Sequence, residues 1–189
     1  MNEKNLDFEY AWYVIQVISG REQQAIRLME SILEEGILKK CFIPMRKRIR
    51  KYQGKATEIT ERLFPGYIFL ITEEPLLLYQ KLKEIPVLTK LLGNCEELYT
   101  PLSEKDIHML QQLQDWEKTP EAEVSAVELS KIVVGEGKQI TIISGPLKNM
   151  EGLLKKVDLH KRIAVVEVEF MGQKSQIHLG IEMVSEPMN

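Results

Sequence analysis

The chain is poor in the residues that most often carry chemistry. Its 189 residues include two cysteines and three histidines. Cys41 and Cys95 make neither a disulfide framework nor a zinc pattern, so a reducing, cytoplasmic setting is expected. Cys41 follows two lysines that would lower its pKa, but a thiol at a strand start reads first as structural. His108, His160 and His178 stand alone, with no Cys or carboxylate at ligand spacing, so no metal is expected. No GxGxxG or P-loop run offers a phosphate cradle, and no cofactor is expected. No apolar run approaches the roughly 18–20 residues of a membrane span, and the N-terminus lacks the apolar core of a signal peptide. An enzyme or a membrane protein is therefore not expected.

What is present is ordinary in amount but uneven in place. Apolar residues make up 44% and charged residues 28%, which excludes wholesale disorder. The formal net charge of −3 argues at first against a nucleic-acid partner, which usually selects a basic domain. Locally the charges separate. Lys39, Lys40, Arg46, Lys47, Arg48, Arg50, Lys51 and Lys55 put eight positive charges into 17 residues with no acid among them. The acids gather elsewhere: Glu30, Glu34 and Glu35, then Glu73 and Glu74, then Glu121, Glu123 and Glu128. Residues 118–130 (KTPEAEVSAVELS) carry no strong period and read as a linker between two domains.

Residues 1–117 alternate in type. Residues 11–18 (AWYVIQVI) read as a strand buried on both faces. Ser19-Gly20-Arg21-Glu22 reads as a capping box, with Ser19 capping a helix and Glu22 reaching back. That helix would bury Ile26, Met29, Ile32 and Leu33, and Gly36 is placed to end it. Residues 41–45 form a short strand, 46–62 a hairpin turning at Gln53-Gly54, and 66–72 a core strand. A helix starts at Pro75 and runs to about residue 85. A strand at 87–92 and a helix at 103–116, with Ile107, Leu110 and Leu113 inward, complete an α+β sandwich with an antiparallel sheet. From residue 131 the period becomes 2, with strands at 138–143, 152–157, 163–170 and 175–179. These predict a small all-β barrel.

Two regions could bind nucleic acid. In an extended hairpin, Arg46, Arg48, Arg50 and Tyr52 share one face, about 6.6–7 Å apart, near the spacing of successive phosphates. A two-residue turn sets Glu61 opposite Arg46 and Thr57 opposite Arg50, leaving most of that charge unpaired. Together with Lys47, Lys51 and Lys55 these residues form a candidate nucleic-acid site; the bland alternative is a solvated edge ribbon. The second region is the barrel loop Ser144-Gly145-Pro146 to Glu151-Gly152, with Lys148, Lys155, Lys156, Lys161 and Arg162 around it. It reads equally as an RNA surface or a solvated face. Phe64-Pro65-Gly66-Tyr67, on composition alone, is a turn entering a strand.

The ordered set of motifs resembles the NusG family of transcription elongation factors. Trp12-Tyr13-Val14, Ser19-Gly20 with Glu22, Phe64-Pro65-Gly66-Tyr67 and Pro101-Leu102-Ser103 match the family's NGN domain. Val134-Gly135-Glu136-Gly137 through Ser144-Gly145-Pro146 to Glu151-Gly152 looks like its KOW motif. The resemblance implies an NGN domain over 1–117, a linker over 118–130 and a KOW domain over 131–189. It implies docking on the clamp helices of RNA polymerase through Tyr13, Phe64, Pro65, Tyr67 and Phe69, favouring the elongating over the paused state. The KOW barrel is the family's adaptor toward RNA, a ribosomal protein or the termination factor Rho. Here Met171-Gly172-Gln173 stands where the housekeeping factor commonly carries Phe-Gly-Arg, which removes an aromatic anchor and a fork donor for Rho or the ribosome. The hairpin is also more basic than the housekeeping pattern. Both departures imply a specialised paralogue similar to LoaP or, more distantly, RfaH, an antiterminator reading RNA, such as a hairpin, or non-template DNA; a monomer is expected. The alternatives are a housekeeping factor coupled to Rho or ribosome and, from another class, a ribosome-associated RNA-binding protein.

Overall fold

The structure, a computed structural model, describes residues 11–83, 100–113 and 126–185. The strand expected at 87–92, Cys95, Trp116, residues 118–125 of the linker and the ends of two helices lie outside the described residues. The described residues form two compact units, one built from 11–43, 65–83 and 100–102, the other from 44–64, 103–113 and 126–185.

In the first unit the aromatic and β-branched run Ala11–Gln16 (β1) pairs antiparallel with Tyr67–Thr72 (β5). Lys40–Phe42 (β2) and Thr100–Pro101 (β6) flank them, giving the order β2-β5-β1-β6. The period of 2 divides the central strands between two faces. One face carries Ile15, Ile68 and Leu70, which pack with Ala25, Ile26 and Met29 of helix α1 (Glu22–Ile32) and Leu78 and Leu82 of α2 (Pro75–Lys83). The other carries Trp12, Phe42 and Phe69, where Phe42 stacks on Phe69 and meets Trp12 edge-on.

The capping box is only half formed. Arg21, not Ser19, occupies the N-cap, and no side chain caps the helix there. Glu22 does reach back, accepting the Gly20 N–H at 2.8 Å. The helix stops at Ile32, before Gly36, and Ile32 is exposed rather than core. Cys41 does not have a lowered pKa: burial, and then the charge of Glu30, push its thiol up.

In the second unit, Met45–Tyr52 (β3) and Lys55–Arg62 (β4) form the hairpin, with Arg46 opposite Glu61 and Arg50 opposite Thr57. Gln53 and Gly54 take φ of 48° and 78°, the left-handed pair that a two-residue turn needs. Helix α3 (Glu104–Leu113) belongs to this unit. The small sheet has five strands, ordered β8-β7-β11-β10-β9: Ser130–Val134 (β7), Ile140–Ser144 (β8), Leu154–Asp158 (β9), Ile163–Phe170 (β10) and Gln173–Met183 (β11). In β10 the alternation buries Ala164, Val166, Val168 and Phe170. The linker's end is not free chain. Ser130 begins β7, which pairs parallel with β11, and Val127 bonds through both backbone groups to Met45 and Lys47 at 2.8 Å.

Candidate functional site: a basic hairpin and an aromatic turn

Alternation places Arg46, Arg48, Arg50 and Tyr52 on one face of β3, with Lys55, Thr57, Ile59 and Glu61 opposite them on β4. The structure divides this face by charge state. At the base, Glu61 accepts from Arg46 at 2.7 Å and from Arg48 at 3.3 Å. Burial works against the Glu61 carboxylate, but the bonds and charge of Arg46, and then of Arg48, outweigh it and leave its pKa low. Arg46 also donates to the His178 carbonyl of β11. On the other face Lys47 pairs with Glu128 at 2.8 Å and with Glu58 at 3.6 Å. The expectation of a largely unpaired ribbon is therefore corrected: three of its cations have carboxylate partners, one of them the linker acid Glu128. The tip differs. Arg50, Lys51 and Lys55 are exposed and meet no carboxylate among the described residues. Tyr52 beside them is 70% exposed.

The hairpin's base is held closely to the barrel. A Cβ on Gly180 of β11 would run into the Lys47 carbonyl and lie 2.7 Å from Leu129 Cδ2. Only glycine permits that approach.

Among the barrel cations, Lys155 pairs with Glu167 at 3.2 Å, and Lys148 donates to the Ile143 carbonyl at 3.3 Å. Lys156 and Lys161 are exposed, and Arg162 is half-buried at a φ of 54°. The loop glycine has a structural reason. Gly145, at φ 91°, lies so near β7 that a Cβ would be 2.6 Å from Ser130 Cα, and Ser130 Oγ accepts the Leu147 N–H at 3.0 Å.

The aromatic residues expected to meet polymerase divide between places. Tyr67 and Phe69 share one face of the sheet, whereas Tyr13 packs with the helices on the other; burial raises its pKa. Phe69 is fully buried and offers no surface, and Pro65 is exposed. Phe64 is 8% exposed and stacks on Phe170 with ring centres 4.9 Å apart. Beside that stack, Asp106 accepts from Ser103 N and Oγ through Oδ2 and from the Met171 N–H at 2.8 Å through Oδ1. The tip Met171-Gly172-Gln173 is thus tied to the start of α3. Sequence reasoning passed over Asp106, although Ser103-x-x-Asp106 has the spacing of a capping box.

Within the first unit, Glu22 holds Gly66 of the turn. Fully buried, it accepts the Gly66 N–H at 2.8 Å with one oxygen and the Gly20 N–H with the other. The SG-x-E and FPGY motifs are therefore one structural feature. Among the described residues no group of three or more potential ligands could hold a metal, and no helix is long and apolar enough to cross a membrane.

Comparison with known proteins agrees with this arrangement. Residues 10–111 match the family model described as transcription termination factor NusG. The chain is 26% identical to the transcription termination/antitermination protein NusG of Helicobacter pylori, over 89% of this chain and 93% of that protein. The protein of the same name in Staphylococcus carnosus is 24% identical, over 93% and 94%. A solved structure described as domain interaction in Thermotoga maritima NusG shares the fold with a TM-score of 0.51 at 20% identity, covering 90% of this chain and 93% of that one. With the family model covering more than half its length, the chain belongs to the NusG family of transcription termination and antitermination factors.

Proposed function

We propose that this NusG-family chain is an elongation factor that binds RNA polymerase and promotes antitermination at particular operons, using the hairpin tip to read a nucleic-acid element. The observation that carries this reading is the unneutralised tip: Arg50, Lys51 and Lys55 are exposed and without carboxylate partners, while Arg46, Lys47 and Arg48 are paired. Like charges gathered on a narrow ribbon repel one another and are relieved by an external anion. Tyr67 and Pro65 would meet the polymerase clamp, and Phe64 would join them once its stack on Phe170 opens. Lys156 and Lys161 offer a secondary contact for RNA.

A purified transcription assay tests this. With polymerase and a template carrying the cognate leader before an intrinsic terminator, the protein should increase the read-through transcript, and Arg50→Ala/Lys51→Ala/Lys55→Ala should remove most of the increase. No effect on any leader template would sink the reading. A housekeeping role coupled to Rho is the rival, favoured by the names of the relatives over nearly the whole chain. It predicts instead a stimulation of Rho-dependent termination on unrelated templates. Against it stands Met171-Gly172-Gln173, which has neither an aromatic residue nor an arginine to offer Rho.

A further inference from the structure

We propose that Tyr52 is a stacking platform for a single unpaired base, so that the hairpin tip binds an unpaired nucleotide rather than duplex. The inference rests on the reading of the tip as a nucleic-acid surface and specifies what that surface takes. An exposed tyrosine on a solvent-facing ribbon is out of place as core, and at 70% exposure its ring packs on little of its own chain.

Its neighbours give the ring a purpose. Lys55 lies directly opposite Tyr52 in the register, and Arg50 sits two residues back along the same face. The next residues on that face, Arg48 and Arg46, are held by Glu61, so free charge on this face begins where the aromatic ring does. The turn is tight: Gln53 and Gly54 adopt the left-handed pair that closes a two-residue hairpin, which sets Tyr52 and Lys55 opposite each other at the strand ends. Cross-strand partners lie about 5 Å apart and same-face neighbours about 6.6–7 Å apart. Those distances suit one base on the ring, with its flanking phosphates at Lys55 and Arg50. A paired base inside a duplex has no free face to give, so the arrangement selects unpaired nucleotides.

The chemistry is common to RNA loops and single-stranded DNA, and the probes separate them. The full-length protein is titrated by fluorescence anisotropy with four labelled probes of equal length: oligo(U), oligo(dT), an abasic sugar–phosphate strand and a duplex. Tyr52→Leu, which keeps an apolar cross-strand partner but loses the π-face, should weaken binding to the base-bearing strands about tenfold. It should leave the abasic strand unchanged, and Tyr52→Phe should bind as the parent does. The larger effect of Tyr52→Leu on oligo(U) than on oligo(dT), or the reverse, identifies the strand while supporting the platform. An equal loss on the abasic strand, or no loss on any strand while Arg50→Ala/Lys51→Ala/Lys55→Ala still weakens binding, overturns the platform and leaves the nucleic-acid reading standing. If the charge variant also changes nothing, that reading falls with it.

Discussion

Glu22 is a carboxylate sealed from water between the start of a helix and the turn before a strand, and its two oxygens are both in use. Removing it strands two backbone N–H groups, one of them wholly buried. Each unsatisfied donor costs roughly 1–3 kcal/mol, with the partly buried Gly20 donor at the low end, so Glu22→Ala should lower stability by about 2–4 kcal/mol in urea unfolding, while a loss under about 1 kcal/mol would show that water replaces the carboxylate. At this scale the sequence was half legible. The spacing Ser19-x-x-Glu22 identifies the acid but assigns the cap to Ser19, where Arg21 in fact stands, and local spacing cannot show that Gly66, 44 residues on, gives Glu22 a second donor. Phe69 was misplaced for a related reason. The motif alone cannot show that Phe42 of the neighbouring strand stacks on the Phe69 ring, which is sealed from solvent.

At the scale of elements, the hairpin was the most readable part of the chain. Alternation and the Gln53-Gly54 turn determine which residues oppose each other, and the register follows without tertiary information. Its charge state was not readable, since Glu61 serves both Arg46 and the diagonal Arg48, and Glu128 comes from the linker. Strand β7 was missed because its start, Ser130, lies in a stretch without period. The packing of β11 on β3 was equally hidden, and it makes a sharp prediction. Gly180→Ala sets a methyl against the Lys47 carbonyl, a backbone atom that cannot turn aside. An overpacking cost of about 1–3 kcal/mol is expected. Gly152→Ala is the control, because a Cβ there meets nothing within 4 Å, and it should fall within roughly 0.5 kcal/mol of the parent. Equal urea midpoints for the two variants would mean that the hairpin moves freely away from the barrel.

Taken over the whole molecule, a net charge of −3 conceals charges in the second unit whose titration is coupled to folding. His178 lies next to Arg46 and Arg48 in that unit. Burial lowers its pKa below the ordinary 6.5, the two arginines and Lys161 lower it further, and Glu61 alone opposes them. The unfolded chain therefore takes up the proton first, and the folded state is penalised as pH falls through 6.5 toward the lowered value. Glu61 is also depressed, from an ordinary 4.5, so its contribution is intact above 4.5 and lost as pH falls through its folded value. Asp158, whose carboxylate accepts the Lys161 N–H, adds to that acid limb. Both steps have the same sign: stability should be greatest near neutrality and fall in two stages on acidification. Urea midpoints at pH 7.5, 5.5 and 4 measure them. His178→Gln should flatten the interval from 7.5 to 5.5 and keep a drop below it, because the lowered imidazole of His178 drives the first stage whereas Glu61 and Asp158 still drive the second. If the variant retains the full drop between pH 7.5 and 5.5, the proton is taken up elsewhere, and charging of the buried His178 beside its arginines is not what destabilises the fold.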